Sequence, residues 1–97
     1  MVPDMSTDLA LPTRLDLPAA TPLAEAILAL RGQDLRLIGE EVSHLGTPGL
    51  QVLLSAVRTW SRDGKRLSLA APSGAMTEQL ALFGLGPDAI ATPSGEG

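Results

Sequence analysis

The stretch that most constrains this chain is Leu45 to Trp60, where a strand-like apolar run gives way at a single point to helical periodicity. Thr47 is an N-cap residue type, because its hydroxyl can accept from the free amides of a first helical turn. Pro48 then falls at the first helical position, where a missing N–H is harmless and the fixed φ suits the helix. Gly49 lets another backbone or a partner approach that turn closely. From there Leu50, Leu53, Leu54, Val57 and Trp60 recur with the spacing of one buried helix face. An exposed helix start delivered by a strand is the natural place for function.

The rest of the chain alternates in the same way. Leu9, Leu11, Leu15 and Leu17 alternate weakly, and Pro12-Thr13 divides them into two short strands, as a hairpin or as an edge strand with a bend. Pro18 to Thr21 reads as a turn, and Thr21-Pro22 opens a helix that carries Leu23, Ile27 and Leu30 to Arg31, with Gly32 as its left-handed stop. Leu35, Leu37 and Ile38 form a short strand. The central helix ends at Asp63-Gly64, with Arg58 and Arg62 near its negative end. Leu67, Leu69 and Ala70 form a further strand, and Ser73 caps a third helix carrying Met76, Leu80 and Phe83 into the core. This order of strand, strand, helix, strand, helix, strand, helix predicts an α/β fold built from βαβ crossovers, with a mostly parallel sheet. One domain is expected over residues 8–90, between loose segments 1–7 and 91–97.

Composition narrows the function. The 97 residues suffice for one modest core, and aromatics are so few that Leu, Val, Ile and Ala must build it. A net charge of −4 argues against a phosphate-backbone partner, so no nucleic acid is expected. There is no cysteine, hence no disulfide framework and no thiolate metal site, which suits a reducing, cytoplasmic setting. Met1-Val2-Pro3-Asp4 shows no charged region followed by an apolar one, so no signal peptide is expected. No apolar run reaches the roughly 20 residues of a membrane span.

Catalysis finds little footing. His44 is the sole histidine, so most nucleophile–base pairs are excluded, and it reads as a loop or part-buried ring held by a hydrogen bond. Glu40 and Glu41 are adjacent in extended chain, point opposite ways and read as solvated. The glycines lack phosphate-loop or dinucleotide spacing, so neither cofactor nor metal is expected. Trp60 continues the buried stripe and reads as core rather than as a binding anchor.

The segment Ser43-His44-Leu45-Gly46-Thr47-Pro48-Gly49-Leu50-Gln51-Val52-Leu53-Leu54 resembles the central motif of STAS domains, and the resemblance runs from about Leu15 to Gly84. It implies a mixed, mostly parallel sheet of about four strands with three main helices packed on one side, the last strand and helix of longer relatives being reduced. It also implies a non-enzymatic bacterial regulator that works by protein–protein binding. The leading version is an anti-anti-sigma factor, an anti-sigma factor antagonist that docks a histidine-kinase-like ATPase. A STAS accessory subunit of a lipid-transport ATPase and a chemotaxis or two-component adaptor are the alternatives. The sheet edge left open by the reduced strand also leaves room for a homodimer.

Carried over residue by residue, the partner-binding surface comprises Ser43, His44, Thr47, Pro48, Gly49 and Gln51. Ser73 and Gly74 join it from the next loop, and Ser55 and Arg58 extend it along the helix. The usual phosphoacceptor of the family falls on Pro48, which has no hydroxyl, and its common preceding Asp falls on Gly46. Thr47 matches the first residue of the pair, a Thr in the STAS subunit of some lipid-transport complexes. Thr47 and Ser43 are therefore the candidates for phosphorylation, weighed against plain helix capping by Thr47.

Overall fold

The computed structural model describes residues 7–92. In chain order they form β1 (Thr7–Ala10), β2 (Arg14–Leu15), α1 (Leu17–Leu28), β3 (Leu35–Ile38), β4 (His44–Leu45), α2 (Thr47–Arg62), β5 (Leu67–Ala70) and α3 (Gly74–Leu82). A 3₁₀ turn over Pro87–Ala89 follows. The fold is α/β, as the alternation predicts.

The strands make two ladders, β1-β3-β5 and β2-β4, and every pairing among them is parallel. β1 and β2 therefore do not form a hairpin. Pro12-Thr13 instead carries the chain from the edge of one ladder into the other. Register explains the layering. Leu9, Leu37 and Leu69 lie side by side, as do Thr7, Leu35 and Leu67, and these rows face the core. The alternate row of Asp8, Arg36 and Ser68 lies on the opposite, open face, where Arg36 holds Asp8 through two guanidinium hydrogen bonds of 2.9 Å.

Helices α1 and α2 pack against each other over the apolar face. Trp60 is fully buried, and its Nε1 donates to the Gln33 carbonyl at 2.7 Å, so its ring is core, as its place on the stripe requires. Three expectations are corrected at the helices. α1 starts at Leu17, with Pro18 in its first turn and Pro22 inside it, so residues 18–21 are helical rather than a turn. Pro22 is exposed, so the Pro18 carbonyl it leaves unpaired is at the solvent side of the helix. Phe83 is 42% exposed rather than core, because α3 ends at Leu82 and the chain turns at Gly84. Leu30 is only half-buried, since α1 stops at Leu28 and Leu30 lies in the turn after it.

At the chain's ends, the expectation for 1–7 and 91–97 falls mostly outside the described residues. Thr7, however, is already paired with Leu35 in β1. Thr92 accepts the Leu67 N–H on its hydroxyl at 3.1 Å and donates its own N–H to the Leu67 carbonyl at 2.9 Å. That closes the β5 edge at Leu67, where an open edge was expected.

Candidate functional site

The site is built at the carboxyl ends of the parallel strands, where β2 and β4 deliver the chain to α2. Gly46, in extended conformation, is the N-cap of α2. Its N–H donates to the Leu15 carbonyl at 2.8 Å, and its own carbonyl accepts from Leu50. Thr47 is therefore the first helical residue and not the cap, a correction with a consequence. Its side chain is exposed and holds no hydrogen bond within the described residues, so the hydroxyl is spare. Pro48 follows within the first turn.

Gly49 is buried, and the approach it permits is to the chain's own backbone. A Cβ there would run into the Leu15 carbonyl oxygen and lie 2.7 Å from the Leu15 Cβ. Gly49 thus sets the seat of α2 on β2 and is not on the surface expected to meet a partner.

Residues Gln51, Ser55 and Arg58 are exposed along α2, and together with Thr47 and Pro48 they make one continuous strip. Ser43 and His44 adjoin it from the strand side. Ser43 donates both its N–H, at 2.7 Å, and its hydroxyl, at 3.1 Å, to the Thr13 carbonyl. His44 is half-buried in β4 opposite Arg14, with Nε2 3.5 Å from where a Gly46 side chain would start. Its ring has no hydrogen bond among the described residues, contrary to the expectation of a pinned ring. Ser73 is spent internally: its hydroxyl donates to the Val42 carbonyl at 2.5 Å and accepts the Met76 N–H at 3.0 Å, which caps α3 as predicted. Gly74 beside it is exposed with open space around it.

Sequence reasoning missed the other bank of the site. Pro48, Gln51 and Ser55 line a groove of about 400 Å³ whose far wall is α1, through Ala20, Ala24 and Leu28. The signal was present in the spacing Leu17, Ala20, Ala24, Leu28, but it was hidden by starting α1 at Thr21. Arg14 and Asp16, an exposed ion pair at 3.0 Å, stand at the entry to α1.

At the other end of the helix layer Arg31 grips Asp63 with two hydrogen bonds, 2.8 and 3.1 Å. The Arg31 hydrogen bond holds the Asp63 carboxyl below its ordinary value of 3.8 against the opposing effect of burial, and the charges of Arg31, Arg62 and Lys65 add to the lowering. The same hydrogen bond and charge raise the Arg31 guanidinium. Among the described residues no group of three or more metal-ligating side chains is gathered, and no helix is long and apolar enough to cross a membrane.

A family model described as "Mlab, STAS domain" matches residues 3–90, nearly the whole chain. This chain belongs to the STAS domain family. A search of curated proteins found no match. STAS domains are generally non-enzymatic and mediate protein–protein interactions.

Proposed function

We propose that this STAS domain is a cytoplasmic anti-sigma factor antagonist-like regulator that docks a histidine-kinase-like ATPase through the β4–α2 junction and the exposed strip of α2. The observation that carries the reading is the start of α2, where Thr47 has a spare, exposed hydroxyl beside an apolar groove. Thr47, Pro48, Gln51, Ser55 and Arg58 form the contact strip, with Ser43, His44 and Gly74 at its margin. A phosphate on Thr47 would sit in the first turn of a helix, where the dipole favours it, so modification there would act on docking and leave the fold intact. A phosphate on Ser43 would instead break its bond to Thr13.

A second reading is an accessory STAS subunit of a lipid-transport ATPase. It is favoured by Thr47 holding the first place of the pair while Pro48 removes the usual acceptor, and by the particular family model that matches. Here Thr47 is a docking residue and never a phosphoacceptor.

Affinity capture of the tagged protein from its own cells, run beside Thr47→Glu, tests both. A histidine-kinase-like ATPase captured by the wild type and lost from Thr47→Glu, with phosphate on Thr47 or Ser43, supports the signalling reading. A transporter ATPase with membrane subunits moves the function to transport. An adaptor partner, or a partner held equally well by Thr47→Glu, overturns the proposal for this surface.

A further inference from the structure

The groove between α1 and α2 is floored by Ile27 and Ala56, which are buried; α1 sets Leu28 on its wall, and Leu17, beyond the lining, stands on the same face of that helix. Leu17 is 72% and Leu28 52% exposed. With Ala20 and Ala24 between them they form one stripe along the same face of α1.

The charges on the two banks are opposite. Glu25 lies on the outer rim of α1, beside Thr21 and Leu28 on the helical net, and Arg58 lies on the outer rim of α2, beside Gln51 and Ser55. Both are exposed and neither forms an ion pair among the described residues. Because both helices cross between parallel strands, they run in the same direction, and the Arg31–Asp63 bridge fixes their C-terminal ends side by side. Counting back from that bridge, Glu25 and Arg58 each stand roughly a turn and a half up their helices, at about the same height.

A two-fold axis parallel to the helices exchanges the banks without changing height. It sets Glu25 of one copy against Arg58 of the other, twice, and lays the Leu17–Leu28 stripe of each α1 along the α2 bank of the other. The face is thus complementary to itself, as an isologous interface must be.

We propose that a second copy of this chain docks on the α1–α2 groove, with Glu25 and Arg58 paired across the two-fold. Self-association through this face would cover Gln51 and Ser55. Competition with another partner for those residues is a consequence that rests on the docking reading above, whereas the self-association does not.

Sedimentation equilibrium over a wide concentration range tests it. The expected result is a mass that climbs from 10.0 kDa towards twice that value. Leu28→Glu should abolish the climb and Glu25→Arg should weaken it several-fold. Glu25→Arg combined with Arg58→Glu should restore it, with circular dichroism confirming that each variant is folded. Because the chain has no cysteine, mixing Leu28→Cys with Thr59→Cys protein should also give a mixed disulfide under mild oxidation. A mass that stays at one chain at every concentration overturns the proposal, and so does self-association unchanged by Leu28→Glu.

Discussion

The starts of α2 and α3 look alike in sequence and differ in structure. Each is a hydroxyl residue and a glycine near the end of a short strand–turn segment. At α3 the hydroxyl is consumed: Ser73 caps Met76 and reaches back to Val42, so the loop is tied to its own helix. At α2 the cap is Gly46, held by Leu15, and the Thr47 hydroxyl is left over. The glycines reverse these roles. Gly49 of α2 is pressed against Leu15, while Gly74 of α3 has nothing near it. A loop that satisfies its own polar groups has little to offer a partner. A helix seated through backbone packing keeps its side chains free for one.

The largest test of this contrast is in the glycines. Gly49→Ala should destabilise by about 1–3 kcal/mol in urea unfolding, because the methyl meets the β2 backbone, which cannot swing away. Gly74→Ala should be neutral or gain a few tenths of a kcal/mol by the ordinary helix preference. Equal effects would mean that α2 is not seated through Gly49.

The hydroxyls come next. Ser73→Ala should cost about 1 kcal/mol or somewhat more, since it removes a cap and leaves the Val42 carbonyl without its donor. Thr47→Ala should leave the melting temperature unchanged within error, because no cap is lost, and should show itself only in partner binding. A matching loss in Thr47→Ala would restore the capping role that the sequence suggested.

The smallest effect concerns the far end of α2, which is closed where its start is open. The Asp63 carboxyl titrates lower in the folded chain than in the unfolded one, so its contribution is present above the ordinary carboxylate value and fades as pH falls through the lowered one. The stability difference between wild type and Asp63→Asn should therefore be visible at neutral pH and shrink below about pH 4. A difference independent of pH would show that the Arg31 pair contributes through shape alone.

Much of the fold could be read along the chain because it rests on local rules. The apolar spacing from Leu50 to Trp60, the stops at Gly64 and Gly84, with φ of 68° and 79°, and the Ser73 cap are all local, whereas α1 already ends at Leu28 and Gly32, with φ of 93°, turns the chain only after that end. The site was legible only in part. Thr-Pro has the form of cap and first turn at both Thr21-Pro22 and Thr47-Pro48, yet α1 begins at Leu17 and α2 at Thr47. Ala20 of the groove wall lies in the part of α1 that precedes Thr21, which the Thr-Pro signal does not mark.

What the sequence determined by itself is the alternation of strands and helices, the buried stripe through Trp60 and the position of the turn that opens α2. These follow from periodicity and backbone preference within a few residues. Only the tertiary structure decided that Gly46 caps α2, that Gly49 faces inward, that Thr47 is free and that α1 faces α2 across a groove. Each of these depends on where Leu15, more than thirty residues before Gly49, is brought by the β2–β4 pairing. No local preference encodes a contact across that distance, because it exists only once the strands have paired.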